Sequence, residues 1–259
     1  MLPGTIRFKD KNDDVYFDFK DKLRDSSRTS YVKTVRGEKT TTKLSVNPRL
    51  LTMYAIYRNT LEESYGANPN LAADIKAKTA PLLEDTALIK IMSKAGYSDD
   101  KKRLRLYAME VAAGVMKDWK TPSENIHAYI AYENADGKEK HIGFVHFLKK
   151  DIQGRSVVYI AEAGVSKRGA SVGRRLMECV ISHFPAGTEF LILARAFNTE
   201  AKTLYKDRLG FDPIKEDEIA ILGYSKDRYV GFSKVSTKEE IIAIRNNQVS
   251  NIARPRAVS

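Results

Sequence analysis

The chain has a single cysteine, Cys179, in 259 residues, so its fold does not depend on an internal disulfide. It has no run of about 18 apolar residues, the length that a membrane-spanning helix requires. The four histidines lack the spacing of zinc ligands, so no metal site is expected: His127, His141, His146 and His183. A Walker A loop, a G-x-S-x-G elbow and an H-E-x-x-H pair are also missing. These absences exclude disulfide scaffolds, membrane spans and several hydrolase classes.

The start of the sequence, MLPGTIRFKDKNDD, does not place a basic stretch before an apolar one, as a secretory signal does. Together with the scarcity of cysteine, this predicts a cytoplasmic protein. Secretion as an effector stays open as an alternative.

Positive charge is abundant and unevenly distributed. The net charge is +11 and the isoelectric point is near 9.5. Residues 20–49 hold nine lysines and arginines against three acidic residues, which leaves +6 in that stretch. One interpretation is a solvated, mobile segment. The other is an electrostatic arm for an anionic partner, such as nucleic acid or an acidic protein face.

The pattern of apolar residues divides the chain at about residue 123. Residues 1–123 contain a predicted hairpin over 5–19, a polar segment over 20–46 interpreted as loop or disorder, and several helices. Asn47-Pro48 begins the first long helix and Gly66 ends it. This helical region is either an enlargement of the main domain or a small domain of its own.

From residue 126 the apolar period changes to that of strands. A hairpin is predicted around Asn134–Gly137, and a second turn at Gln153-Gly154 leads into the strand Val157–Val165. The predicted core spans residues 124–236. Residues 237–259 are predicted to form a helix that begins at Thr237, followed by a polar tail.

The most informative stretch runs from Val157 to Phe211. It predicts an apolar strand, a basic glycine-containing turn, an amphipathic helix, a second strand and a second helix that Gly210 closes. A strand that turns directly into a helix leaves several backbone N–H groups pointing outward. Such a turn is a ready site for an anion. The alternative is a plain strand–helix connection.

These residues resemble two motifs of the GNAT superfamily of acetyl-CoA-dependent N-acetyltransferases. Arg168–Gly173, RGASVG, is similar to that family's Arg/Gln-x-x-Gly-x-Gly/Ala turn, except that Ser171 stands where glycine is usual. Asn198, Tyr205 and Gly210 with the following phenylalanine are similar to the second motif. The resemblance covers the C-terminal half of the chain.

The resemblance implies an α/β fold: a mixed, mostly antiparallel sheet with helices on both faces, here with an enlarged N-terminal helical part. It also implies acetyl-CoA as cosubstrate and no metal. The residues expected to contact acetyl-CoA are Ala163, Gly164, Val165, Arg168, Gly169, Ala170, Ser171, Val172, Gly173, Arg174 and Asn198.

Two residues are expected to carry the chemistry. Glu162 is the candidate base for the amine, directly or through water; the alternative is a carboxylate paired with a lysine. Tyr205 is the candidate proton donor to the departing thiolate; the alternative is a tyrosine of the core. Val165 is expected to direct its N–H toward the thioester carbonyl.

The expected activity is acetyl transfer to a primary amine. The basic charge favours a macromolecular acceptor over small polycations: a protein lysine, a protein N-terminus or an aminoacyl group on RNA. The alternative function is a non-catalytic protein of the same fold that uses its basic segment to bind RNA or an acidic partner. The sequence says nothing about the oligomeric state.

Overall fold

A computed structural model describes residues 5–8, 15–20, 28–35, 38–45, 48–66, 75–76, 79–80, 86–120, 126–135, 138–166 and 171–251. The chain groups into two compact units, one formed by Met1–Leu23 with Ser123–Ser259 and the other by Arg24–Pro122. The first hairpin therefore belongs with the C-terminal sheet and not with the helical region that follows it. The change of unit between Pro122 and Ser123 lies at the predicted boundary, whereas the predicted grouping of the hairpin with the rest of residues 1–123 differs from these units.

The larger unit contains the strands β1 (Thr5–Phe8), β2 (Val15–Lys20), β5 (Ile126–Ala135), β6 (Lys138–Ile152), β7 (Arg155–Val165), β8 (Glu189–Arg195), β9 (Asp212–Pro213), β10 (Tyr229–Val235) and β11 (Gln248–Asn251). Its helices are α4 (Val172–His183), α5 (Thr199–Thr203), α6 (Glu216–Ile221) and α7 (Lys238–Asn246).

Within the described residues these nine strands form one sheet in the order β11-β1-β2-β5-β6-β7-β8-β10-β9. Every neighbouring pair is antiparallel except β7 and β8, which are parallel. A parallel pair needs a crossover connection, and α4 supplies it. The sheet is therefore mixed and mostly antiparallel, as predicted.

Alternating residues of β7 pack on opposite faces of the sheet. Val158 and Ile160 lie in the main core with α4 and α7, whereas Val157 and Tyr159 lie in a second core. Leu222, directly after α6, packs against that second core. Helical segments thus cover both faces, and the predicted fold class is confirmed.

The hairpin turns follow their local sequence signals. Gln153 and Gly154 both have positive φ angles, 53° and 78°, which is the conformation that a two-residue hairpin turn requires. The Asp151 side chain accepts a hydrogen bond from the N–H of Gly154 at 2.9 Å. The turn therefore fixes β7 beside β6.

The C-terminal end was predicted in part. Thr237 caps α7, because its hydroxyl accepts a hydrogen bond from the N–H of Glu240 at 3.1 Å. The strand β11, which pairs with β1 at the edge of the sheet, was not predicted. Residues 252–259, the rest of the predicted tail, lie outside the described residues.

The smaller unit contains the strands β3 (Arg28–Val35) and β4 (Glu38–Ser45) and the helices α1 (Pro48–Gly66), α2 (Thr86–Lys94) and α3 (Asp99–Lys120). The helices α1 and α3 are joined by an ion pair between Arg105 and Glu62 at 2.5 Å and by the rings of Tyr65 and Tyr107 at 5.2 Å. No helix of the described part is long and apolar enough to cross a membrane.

The interpretation of residues 20–46 as loop or disorder is wrong for β3 and β4, which pair in register from Arg28 with Ser45 to Val35 with Glu38. The physical reason is visible in the sequence. RTSYVKTV and EKTTTKLS are rich in threonine and valine, whose branched side chains favour strands. Charged residues interrupt both segments, so the strand pattern was not recognised in the sequence.

Candidate active site

The strand β7 contains an extra residue beside β6. Ile160 pairs with Phe147, but the next pair of the ladder joins Glu162 to His146. Ala161 is therefore a β-bulge, one residue too many on β7. Bulges of this kind redirect side chains and often lie next to active sites.

The bulge changes which residues of β7 face the main core. Before it, Val158 and Ile160 pack there; after it, Ala163 and Val165 do. Glu162 is consequently directed to the opposite face, on which Tyr159 lies. A strand without the bulge would have placed Glu162 toward α4.

The strands β7 and β8 part at the same point. Their parallel register runs from Val157 opposite Glu189 to Ile160 opposite Ile192, whereas β7 continues to Val165 and β8 to Arg195. The described ladder between them thus stops where the bulge begins. This parting opens one edge of β7 over its last residues.

The backbone beyond the bulge alternates between β6 and the opening. The N–H of Ser166 donates to the carbonyl of Ile142 in β6 at 2.8 Å. By alternation, the N–H of Gly164 also points to β6, and those of Ala163 and Val165 point to the side on which β8 departs. An extended ligand lying there can bond to β7 as an added strand does.

The N-terminus of α4 lies close to the end of β7. A Cβ built on Gly173 would be 3.7 Å from Cγ1 of Val165 and 3.6 Å from Cδ2 of Leu204. Val172 is buried in the core, so only its backbone can face a ligand. Arg168, Gly169 and Ala170 lie outside the described residues.

Two arginines of the first turn share one buried carboxylate. Nε of Arg174 lies 2.8 Å from Glu178, and Nη1 of Arg175 lies 2.7 Å from its other oxygen. The Arg174 side chain is half exposed. A guanidinium carries five N–H donors, so its ion pair with Glu178 orients Arg174 and leaves it able to bind a phosphate.

Ser171 precedes α4 with a φ angle of +55° and makes no side-chain capping bond. Its carbonyl accepts from the N–H of Arg175 at 2.9 Å. A positive φ costs a non-glycine residue roughly 1–2 kcal/mol. The departure from glycine noted in the sequence therefore falls on a position where the backbone itself favours glycine.

Ser171→Gly is expected to stabilise the protein by about 1 kcal/mol, because the relief of strain exceeds the added backbone entropy of the unfolded chain. Thermal unfolding should show a rise of about 2–4 °C. Ser171→Ala keeps the Cβ and should give no rise. Equal stabilisation by both variants would place the effect in the hydroxyl and not in the backbone.

The second motif opens with a helix cap. The side chain of Asn198 accepts a hydrogen bond from the N–H of Ala201 at 3.1 Å and so begins α5. The helix continues as a π-helical turn over Leu204–Arg208. Single π-helical turns are rare in proteins, and those that do occur often lie at functional sites.

Tyr205 lies inside this π-helical turn and is buried, 7% exposed. Its ring centroid lies 5.9 Å from that of Phe232 and 6.3 Å from that of Phe211. Burial raises the pKa of Tyr205 to about 12, so the hydroxyl keeps its proton at neutral pH. Tyr205 thus has the packing of a core residue and the protonation state of a proton donor.

Glu162 is held by a histidine. Nδ1 of His146 lies 2.5 Å from Oε2 of Glu162, with the two side chains 5% and 17% exposed. In the sequence, His146 was considered as a zinc ligand and was set aside for its spacing. The structure therefore adds His146 to the site as the partner of the candidate base.

The described residues contain no group of three or more histidine, cysteine, aspartate or glutamate side chains that could hold a metal ion.

No protein-family model and no curated protein matches the chain. Solved structures do resemble it. Arabidopsis thaliana NAA60 in complex with acetyl-CoA is 18% identical, with 48% of this chain and 82% of that chain covered at a TM-score of 0.36. The ribosomal-protein-S18-alanine N-acetyltransferase of Escherichia coli is 16% identical, with 47% and 77% covered and a TM-score of 0.35.

A probable acetyltransferase from Staphylococcus epidermidis is 12% identical, with 59% of this chain and 94% of that chain covered and a TM-score of 0.38. At these identities and TM-scores, what the chain does must be inferred from its own site.

Proposed function

We propose that this protein is an N-acetyltransferase that moves acetyl from acetyl-CoA directly to a primary amine. The observation that carries the proposal is the parting of β7 from β8 at the Ala161 bulge. At that point the chain brings together an open strand edge, a helix N-terminus and the candidate base Glu162.

The site fits acetyl-CoA as a substrate. The N-terminus of α4 offers its positive dipole and the N–H groups of its first turn to the phosphates, and Arg174 adds a positive charge. The extended pantetheine arm matches the edge of β7 over Ala163–Val165. Asn198 caps α5 and so fixes the position of the segment that carries Tyr205.

The first step is attack by the neutral amine on the thioester carbonyl carbon, which forms the C–N bond. A lysine-like amine with a pKa of about 10.4 is neutral in only roughly one molecule in 2,000 at pH 7. Glu162 accepts the proton that the nitrogen gives up. The N–H of Val165, on the opening side of β7, is directed to stabilise the oxyanion.

The second step breaks the C–S bond and releases the coenzyme A thiolate, which Tyr205 protonates. In water a thiol has a pKa of about 8.5, well below the value of about 12 for Tyr205. Full transfer to a solvated thiolate would thus be uphill by roughly 5 kcal/mol. Desolvation of the thiolate beside the tyrosine lowers this cost, because burial destabilises that anion as well.

Calorimetry with acetyl-CoA and a thiol-release assay on a panel of amines test the proposed function together. We expect both binding and amine-dependent thiol release, with release strongly reduced in Glu162→Gln. Binding without transfer to any amine, peptide or aminoacylated RNA would contradict the proposal and favour a non-catalytic binding protein.

We propose further that the acceptor is macromolecular and is held through the basic stretch of residues 20–49. Its net charge of +6 complements a polyanionic or acidic surface. Since β3 and β4 lie within this stretch, charge neutralisation is a better test than deletion, because it leaves the backbone pairing possible.

Replacing Arg28, Lys33, Lys39 and Lys43 by glutamine is expected to raise the KM for the natural acceptor at least about tenfold. Acetyl-CoA binding and turnover of small amines should stay unchanged. The same number of changes at exposed lysines of the helical region serves as the control: Lys76, Lys90, Lys94 and Lys101.

Salt provides the second measurement. Several phosphate contacts would weaken acceptor binding by orders of magnitude between about 50 and 200 mM salt. A flat salt response, with equal KM values in the two quadruple variants, would mean that the basic stretch holds no polyanion.

A further inference from the structure

His146 and Glu162 form a cross-strand pair directly beside the Ala161 bulge. We propose that His146 is a positioning residue: its imidazole holds one carboxylate oxygen of Glu162, so that the other oxygen can accept the proton of the amine. This inference rests on the proposed function, in which Glu162 is the base.

The proposed role requires one direction of the hydrogen bond. A base must begin as an ionised carboxylate, which can only accept, so the role requires that Nδ1 of His146 carries the hydrogen and donates it to Oε2 of Glu162. The separation is 2.5 Å, so the imidazole and the carboxylate are in direct contact. Oε1 of Glu162 is then the oxygen that receives a proton.

His146 is well placed to act as a fixed support. Its backbone pairs with Ala128 of β5 on one side and with Glu162 of β7 on the other. Its side chain is 5% exposed, so the ring has little room to turn. Glu162, in contrast, follows a bulge and has a flexible side chain whose ordering costs entropy.

Tyr159 lies on the same face of the sheet as Glu162, and its hydroxyl donates to Tyr224 at 3.4 Å. Burial, followed by the Tyr224 hydrogen bond, raises the pKa of Tyr159. Tyr159 therefore stays neutral and does not accept the proton that the amine loses.

The proton balance of this step is simple. Before the attack, the ammonium nitrogen of the acceptor gives one proton to Oε1 of Glu162, and the neutral nitrogen then forms its bond to the acetyl carbon. His146 keeps its Nδ1–H throughout. The step uses only this one N–H of the histidine. An asparagine, whose amide N–H can take the place of Nδ1–H, should therefore replace it.

The test compares His146→Leu with His146→Asn in the full chain, on two acceptors. One is an alkyl amine that the wild-type protein acetylates; the other is its hydrazide analogue, whose terminal nitrogen is neutral at pH 7. We expect His146→Leu to lower kcat about 10- to 100-fold on the alkyl amine, with unchanged KM for acetyl-CoA and a much smaller loss on the hydrazide. His146→Asn should retain most of the activity.

His141→Asn, the same kind of change on the same strand, is the control and should behave as wild type. If His146→Leu does not fold, His146→Ala assayed with and without added imidazole takes its place. Equal losses on both acceptors, or a His146→Asn as poor as His146→Leu, would show a purely structural role. Full activity of His146→Leu would overturn the proposal alone, whereas an inactive wild-type protein would overturn the proposed function itself.

Discussion

Gly173→Glu is expected to weaken acetyl-CoA binding about a thousandfold while the fold is retained. A Cβ at this position would meet Val165 and Leu204 at ordinary contact distances, 3.7 and 3.6 Å. A glutamate in the first turn of α4 is also favourable for the helix itself. The new carboxylate, however, would lie about 4 Å from a bound phosphate, which costs about 4 kcal/mol near a protein surface.

Gly173→Ala is the matched control for this prediction. It adds the Cβ without the charge and should keep the wild-type affinity by calorimetry, together with an unchanged or slightly higher unfolding temperature. Loss of binding in both variants would indicate close backbone approach instead of repulsion. Unchanged affinity in Gly173→Glu would remove this turn from the cosubstrate site.

The parts of the fold that the sequence predicts are those set by local chemistry. Gln153-Gly154 is a turn because both residues adopt positive φ, and Thr237 begins α7 because its hydroxyl caps the helix. The strand–helix–strand unit around α4 was predicted from its change of period. The β3–β4 hairpin was missed because charged residues interrupt its strand-forming pattern.

The His146–Glu162 pair depends on register and could not be read from spacing alone. His146 lies seven residues before Gln153, and Glu162 lies eight residues after Gly154. In a regular hairpin this difference would misalign them. The bulge at Ala161 accommodates the extra residue. An alanine at that position does not predict a bulge.

In the candidate site, too, the sequence predicted what local chemistry sets and missed what depends on the rest of the structure. Ser171 was recognised as a departure from glycine, and its φ of +55° gives that departure a physical meaning. Asn198 was predicted as a ligand of acetyl-CoA, and the structure adds its role as the cap of α5. A cap depends on which N–H follows within one turn, whereas a ligand contact depends on a partner that is not part of the chain. The roles of these residues toward acetyl-CoA stay predictions.

Tyr205→Phe is expected to lower kcat about 10- to 10⁴-fold with the affinity for acetyl-CoA nearly unchanged. The substitution keeps the ring and its packing against Phe211 and Phe232 and removes only the proton. Tyr129→Phe is the matched control. Tyr129 is equally buried in the same core, and its hydroxyl lies 3.0 Å from Nδ1 of His183, so its loss should affect stability and not turnover.

The pH dependence separates proton donation from packing. Because burial raises the pKa of Tyr205 to about 12, its hydroxyl stays protonated throughout the range from pH 7 to about pH 10. The thiolate departs as an anion when the C–S bond breaks, so without a donor its leaving ability does not depend on pH over this range. The deficit of Tyr205→Phe in kcat should therefore stay constant between pH 7 and about pH 10 and shrink only toward pH 12, where the wild-type tyrosine itself loses its proton. Wild-type kcat in Tyr205→Phe, under conditions where chemistry limits the rate, would identify Tyr205 as a packing residue whose hydroxyl takes no part in the reaction.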